Sequence, residues 1–202
     1  MLEAKGICFR YDKEDWILNG VNLTVQPGEV IGLFGPSGYG KTTFARILTG
    51  YTEPFSGTVK LDGKPIPKKG FNPVQLIWQH PEKVVNPKWR LEKTIRESGE
   101  PDKELLAQLG IKDAWLRRFP NELSGGELQR MCLARALGPN TGFLIADEMT
   151  TMLDAITQAQ IWQVILRLVK ERQMGVVAIS HDIHLLKRIS TRFVDITEIN
   201  RM

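Results

Sequence analysis

The feature that most limits what this chain can fold into is Gly35-Pro36-Ser37-Gly38-Tyr39-Gly40-Lys41-Thr42-Thr43. It stands between an apolar run, Val30-Ile31-Gly32-Leu33-Phe34, and a helical pattern, Phe44-Ala45-Arg46-Ile47-Leu48. A strand that runs through a glycine-rich turn into a helix is the setting of a phosphate-binding loop. Glycines open backbone conformations closed to other residues, so successive N–H groups can turn inward on phosphate oxygens. The following helix adds the positive end of its dipole. Lys41 supplies a point charge for the outer phosphates, and Thr42 offers a hydroxyl to Mg2+. The plain alternative is a glycine turn with Lys41 in solvent. It is set aside because both flanks and the full spacing agree.

At 202 residues the chain suits one large domain, or a core with a subdomain inserted. No apolar run approaches the roughly 20 residues of a membrane helix, and the N-terminus lacks the apolar stretch of a signal peptide. These features predict a cytosolic protein whose membrane role, if any, comes through partners. Cys8 and Cys132 lack metal-ligand spacing and read as two packed thiols in a reducing compartment. A net charge of +4 selects no anionic partner over another.

Before the loop, 6–11 and 21–25 read as strands, which suggests a small antiparallel element beside a parallel core. Tyr11, at the end of the first, is placed to stack on an adenine ring, although a tyrosine there more often simply packs. After the loop helix, 58–61 is a strand, Asp62-Gly63 a hairpin turn, and 74–78 a strand that ends at Gln79-His80-Pro81. Strand signals then vanish. Helical patterns at 89–98, 102–109, 112–118 and 125–138 predict an inserted helical subdomain over 82–133. Within it, Ser124 of Leu123-Ser124-Gly125-Gly126-Glu127 is placed to cap a helix.

Phe143-Leu144-Ile145-Ala146-Asp147-Glu148 is a buried-strand pattern ending in two carboxylates. Doubly wound sheets bind ligands at the carboxyl ends of their strands, so Asp147 is expected near the loop to hold hydrated Mg2+. Glu148 is expected to polarise a water against the γ-phosphate. Residues 155–172 read as an amphipathic helix and 175–180 as a buried strand ending at His181-Asp182. Residues 183–189 read as a helix and 193–199 as a final strand.

Taken together, the order of these motifs resembles the nucleotide-binding subunit of ABC (ATP-binding cassette) transporters over essentially the whole chain. Gly35 to Thr42 resembles Walker A. Phe143 to Asp147 resembles Walker B, with Glu148 as the catalytic glutamate that follows. Gln79 sits at the Q-loop position, Tyr11 at the aromatic A-loop position, Asp154 in the D-loop and His181 at the switch histidine. Leu123 to Glu127 resembles the signature LSGGQ, with Glu127 in place of glutamine. A finer resemblance is to the peptide/nickel/opine importer branch. It rests on Gln79-His80-Pro81 with Asn86-Pro87-Lys88, on Phe119-Pro120-Asn121-Glu122-Leu123, and on Asp154 with Gln158-Ala159-Gln160-Ile161. Met149 departs from the family's proline, and Thr151-Met152 from its Ser-Ala. The branch usually continues beyond the position of Met202.

The resemblance implies a single ATP-binding domain over 1–202, with a RecA-like and β core (1–81 and 134–202) around the helical subdomain. It implies two cassettes that sandwich two ATP molecules. Lys41, Gln79, Glu148 and His181 would act in hydrolysis, and Thr42, Gln79 and Asp147 on Mg2+. Ser124, Gly125, Gly126, Glu127 and Asp154 would form a second surface, facing the nucleotide of the other cassette. The implied partners are membrane permease subunits, a second cassette (a different one favoured over an identical copy) and an extracytoplasmic substrate-binding protein. No nucleic acid is expected, and the implied location is the inner face of the cell membrane. The competing readings are an ABC-type ATPase acting on nucleic acid or ribosomes, and a P-loop kinase. The short helical insert and single cassette weigh against the first, and the Leu123 to Glu127 stretch with His181 against the second.

Overall fold

The computed structural model describes residues 1–12, 15–151 and 153–201. Its centre is a five-stranded sheet made of β3 (Val30–Phe34), β6 (Val74–Ile77), β7 (Phe143–Asp147), β8 (Gly175–Ile179) and β9 (Arg192–Asp195), in the order β6-β7-β8-β3-β9. All four strand pairs are parallel. A parallel sheet is covered on both faces, so its strands are apolar throughout rather than alternating. Every residue of β7 and β8 is buried. Alternation survives in which core each residue enters. Leu144, Ala146, Val176 and Ala178 join one apolar cluster, while Phe143, Ile145, Val177 and Ile179 join the other.

The second cluster is closed by α1 (Lys41–Leu48) and by a four-stranded antiparallel sheet. This sheet has the order β2-β1-β4-β5 and is built from β1 (Leu2–Phe9), β2 (Leu18–Val25), β4 (Ser56–Leu61) and β5 (Lys64–Pro65). The expected antiparallel element is therefore present but larger, because the chain after α1 returns to pair with β1. β1 begins at Leu2 rather than near Gly6, and a register shift between Ala4 and Ile7 accommodates Gly6 at φ +62°. Asp62 and Gly63, both with positive φ, make the tight turn between β4 and β5.

The first cluster is closed by helices. Between β6 and β7 the chain runs through α2 (Leu91–Ile95), α3 (Lys103–Gln108), α4 (Asp113–Leu116) and α5 (Gly125–Ala136), with single 3-10 turns between them and no strand among the described residues. These helices are shorter than their apolar periods suggest because caps and glycines cut them. Asp102 caps α3 by accepting from the Glu104 and Leu105 amides, and Gly99 breaks the chain ahead of it at φ +114°. α6 (Ala155–Arg172) and α7 (Ile183–Ile189) match the sequence reading. The expected final strand over 193–199 does not form as such. Asp195 accepts from the Thr197 amide and hydroxyl at 2.8 Å each, and this cap turns Ile196–Ile199 into a helical turn, α8. Among the described residues no helix is long and apolar enough to cross a membrane.

Parallel register carries the strand ends to one edge. Leu33 lies beside Ile179, Ile179 beside Asp147, and Ile77 beside Ala146. The residues that follow, Gly35, His181, Glu148 and Gln79, therefore leave the sheet side by side.

β8 opens on a glycine for a packing reason. A Cβ on Gly175 would lie 2.4 Å from Cε1 of the buried Phe143 ring and 3.0 Å from the Gln26 carbonyl oxygen. Gly175→Ala is expected to cost about 1–3 kcal/mol of stability through overpacking. Urea unfolding of the purified chain measures this, and an unchanged midpoint would mean the Phe143 ring has room to turn aside.

Candidate active site

The loop between β3 and α1 is held by two close approaches. Gly35 has φ +136°, and a Cβ there would meet Ile196 Cγ2 at 2.5 Å. Gly40, which precedes α1 at φ +82°, would meet Leu18 Cδ2 at 2.8 Å and Ile17 Cγ2 at 2.9 Å. Both positions need glycine for conformation and for space. Lys41 is not a solvated lysine. It is buried, and its Nζ donates to the carbonyl oxygens of Gly35 and Pro36 at 2.8 Å each. Burial lowers its pKa, while the carboxylates of Glu148, Asp147 and Asp195 work in the other direction. The ammonium thus rests on two carbonyl oxygens at the root of the loop, in a field of three acids.

Asp147 ends β7 and is buried. Burial pushes its carboxyl above the ordinary 3.8; a hydrogen bond with Thr42 opposes this, Glu148 adds to it, and Arg46 and Lys41 oppose it. A buried carboxylate and a threonine hydroxyl in contact, both oxygen donors and under-compensated, suit a hard divalent cation. No group of three or more acidic, histidine or cysteine side chains with metal-site geometry occurs among the described residues.

Glu148 follows at φ +48°, in the left-handed region. Its N–H donates to the Ile179 carbonyl at 3.0 Å, so the chain turns out of the sheet while still tied to β8. The side chain lies between two neighbours. Oε1 is 2.8 Å from His181 Nε2, and Oε2 accepts from Gln79 Nε2 at 3.0 Å. Three strand ends thereby converge on one carboxylate. Beside them is a cavity of about 280 Å3, walled by Ser37, Gly38, Gly40, Lys41, Thr42 and Thr43 and completed by Glu148, His181 and Ile17.

The other expected residues form a separate group. Ser124 caps α5 in a capping box. It accepts from the Glu127 N–H at 3.3 Å, and its own N–H and hydroxyl donate to Glu127 Oε2 at 2.9 and 3.0 Å. Asp154 caps α6, accepting from the Ile156 and Thr157 amides at 3.0 Å and from the Thr157 hydroxyl at 2.7 Å. Ser124, Gly125, Gly126, Glu127 and Asp154 line one shallow depression of about 490 Å3, which shares no lining residue with the loop cavity.

Tyr11 lines neither hollow. Its ring is about half exposed and packs edge-on against Phe9, with centroids 5.0 Å apart. Ile17 lines the loop cavity instead, and nothing in its sequence context marks it. Asp195 and Ile196 also escaped the sequence reading. They sit against Gly35 because an acid-threonine cap bends the chain there, and Asp195-Ile196-Thr197 was the signal available. Met149 is buried beside the Glu148 turn, and Met152 lies outside the described residues.

Comparison with known proteins places this geometry. The ABC transporter family matches residues 18–151. The nickel import system ATP-binding protein NikE of Staphylococcus aureus strain bovine RF122 / ET3-1 is 32% identical, covering 96% of this chain and 85% of its own length. The same protein of strain N315 is 31% identical over the same shares. Among solved structures, the ATP-binding cassette MJ0796, a dimer bound to ADP and Pi in a post-hydrolysis state, superposes with a TM-score of 0.82. It is 26% identical and covers 96% of this chain and 94% of that one.

The raised pKa of Asp147 makes a prediction about stability. A carboxyl whose folded pKa lies above its unfolded value favours folding relative to its ionised form only at low pH, and that advantage is lost as pH rises through the folded pKa. Asp147→Asn, free of this charge, is expected to be more stable than the parent at pH 7 without nucleotide, the gap closing as pH falls towards 3.8. Thermal unfolding between pH 4 and 8 tests the sign. A variant less stable at pH 7 would show that Thr42, Arg46 and Lys41 outweigh the burial.

Proposed function

Because this chain belongs to the ABC transporter family and is its ATP-binding and ATP-hydrolysing subunit, we propose that it energises the uptake of nickel, free or chelated, through partner permease subunits. The nickel assignment is supported by the NikE relatives, which align over nearly the whole chain. The observation that carries the chemistry is the clamp on Glu148, a carboxylate between Gln79 and His181 at the wall of the phosphate-loop cavity.

In this reading ATP lies with its phosphates along 35–43. Lys41 exchanges the Gly35 and Pro36 carbonyls for phosphate oxygens, which an ammonium prefers because they carry charge. Thr42, Asp147 and Gln79 would hold Mg2+, which would supply positive charge to the phosphate chain. Glu148 takes the proton of the attacking water as the water oxygen bonds to the γ-phosphorus and the bond to ADP breaks. Each of its oxygens keeps a free lone pair beside its present partner, so the clamp can hold the base in place while it accepts that proton. His181 Nε2 then orients water and γ-phosphate. Tyr11 would stack on adenine.

The depression at Ser124 and Asp154 is a second surface, and its separation from the loop cavity supports a head-to-tail pair in which the signature of one cassette faces the nucleotide of the other. Residues 82–133 would act as a helical subdomain that moves with Gln79 and passes closure to the permease. Trp78, next to Gln79, lines a cleft of about 430 Å3 together with Tyr51, Phe71 and Arg135, between β6 and the helical segment. The chain would then work at the inner face of the membrane, with an extracytoplasmic binding protein delivering the cargo.

Glu148→Gln is expected to bind Mg-ATP and to lose at least about 100-fold in turnover. Lys41→Ala is expected to lose ATP binding, read by isothermal titration. The transport reading is tested by capturing tagged Glu148→Gln from detergent-solubilised membranes with Mg-ATP. Co-purification of a multispanning permease, with nickel uptake lost on deletion, is the expected result. Capture only of ribosomes or nucleic acid would overturn the transport reading. Capture of a permease whose loss spares nickel uptake and blocks peptide uptake would move the cargo alone.

A further inference from the structure

The segment that follows β9 touches both ends of the phosphate loop. Its first contact is direct. A Cβ on Gly35 would stand 2.5 Å from Ile196 Cγ2 and 3.2 Å from Asp195 Oδ1. Its second contact runs through Ile17. α8 ends at Asn200, whose N–H donates to the Ile196 carbonyl at 2.9 Å, and the Asn200 side chain reaches the entry to β2. There Nδ2 donates to the Ile17 carbonyl at 2.9 Å and Oδ1 accepts from the Asn19 N–H at 2.8 Å. One partner needs a donor and the other an acceptor, so the partners themselves fix which end of the amide faces which. Asn200 is only 4% exposed. The Arg201 N–H extends the contact, donating to the Asn19 carbonyl at 3.1 Å, and Asn19 Nδ2 donates to the Arg201 carbonyl at 2.9 Å.

Ile17 is half-buried and walls the loop cavity. Its N–H donates to the Phe9 carbonyl at 2.9 Å, which ties one side of it to β1. Its carbonyl and side chain both press on the loop: a Cβ on Gly40 would lie 3.0 Å from the oxygen and 2.9 Å from Cγ2. One carbonyl oxygen therefore sits between the Asn200 amide and the glycine that precedes Lys41. At the rim of an open cavity water could satisfy that carbonyl. A buried amide also dictates where it points. The helical turn is what makes the reach possible. Extended, the five steps from Asp195 to Asn200 would span roughly 16 Å, whereas helical they span roughly 7–8 Å.

We propose that Asn200 is a positioning residue for nucleotide binding, which pins Ile17 in the wall of the loop cavity so that its side chain meets ATP already in place. The proposal rests on the placement of ATP along 35–43 given above. Ordering the wall beforehand removes a cost that the nucleotide would otherwise bear on binding.

The test is a double-mutant cycle read as Mg-ATP affinity by isothermal titration, with circular dichroism showing that each variant is folded. Ile17→Ala and Asn200→Ala are each expected to weaken ATP binding by roughly three- to tenfold. The double variant is expected to bind no more weakly than Ile17→Ala alone, because Asn200 then has no side chain to position. A merely structural Asn200 would lower the unfolding temperature and leave ATP affinity unchanged, and that result overturns the proposal. Unchanged affinity in Ile17→Ala overturns it too, as do losses that add in the double variant. Asn200→Ser, uncharged and too short to bridge both partners, carries the same cycle with the same expectations if the alanine variant does not fold. Failure of the underlying reading looks different. If Lys41→Ala still binds ATP, the placement along 35–43 falls and takes this proposal with it. If Lys41→Ala does not bind and Asn200→Ala binds like the parent, the placement stands and only the role of Asn200 falls.

Discussion

The structure depends on parallel register. In an all-parallel sheet every strand delivers its last residue to the same edge, and every strand pair here is parallel. A glycine-rich loop, a buried aspartate, a glutamate and the two side chains that clamp it, some separated by more than a hundred residues, become neighbours without any of them reaching. A slip of one position in β7 would exchange the cores that its side chains enter and move Asp147 from the loop to the far face. The alternating assignment of β7 and β8 to two cores is therefore what fixes the site, because two differently shaped covers, helical and β, each accept only their own set of side chains.

The edge so assembled is poorly suited to stability. Lys41 and Asp147 are both buried, and burial shifts each in the direction that disfavours its charge. They compensate each other in part, together with Glu148, Asp195 and Arg46. The remaining deficit is what a polyphosphate and a divalent cation are suited to fill. Lys41 borrows two backbone carbonyls and Glu148 borrows Gln79 and His181, so the protein supplies provisional partners that a ligand can displace. The cost is borne by the two apolar cores on either side of the sheet.

Much of this was readable in the sequence, for physical reasons that differ by element. The loop, α6, α7 and the buried strands were legible because glycine spacing and apolar periods are local signals. Gln79, Glu148 and His181 were legible as strand ends. Their meeting was not, since it depends on register between distant strands. The strand expected over 193–199 failed because Asp195 uses its side chain to cap a turn, a choice that apolar content does not reveal. Ile17 was missed because a cavity wall formed by a loop residue just ahead of β2 leaves no pattern. The capping box at Ser124 and Glu127 was half visible. The serine and its offset acid spell a helix start, but the same letters say nothing about where the hydroxyl proton goes.

The backbone at Glu148 has a consequence for inheritance. A φ of +48° strains β-branched residues most and unbranched polar residues least. Of the replacements that drift can offer, valine is resisted by the turn itself, whatever it does to chemistry. Glutamine and aspartate keep the turn. On the role proposed for Glu148, the variants that keep the turn are then those that fold, bind nucleotide and do not turn it over. With the permease partners proposed above, such a protein would compete for every partner its functional sibling needs, so damage at this one position would act as dominant rather than recessive.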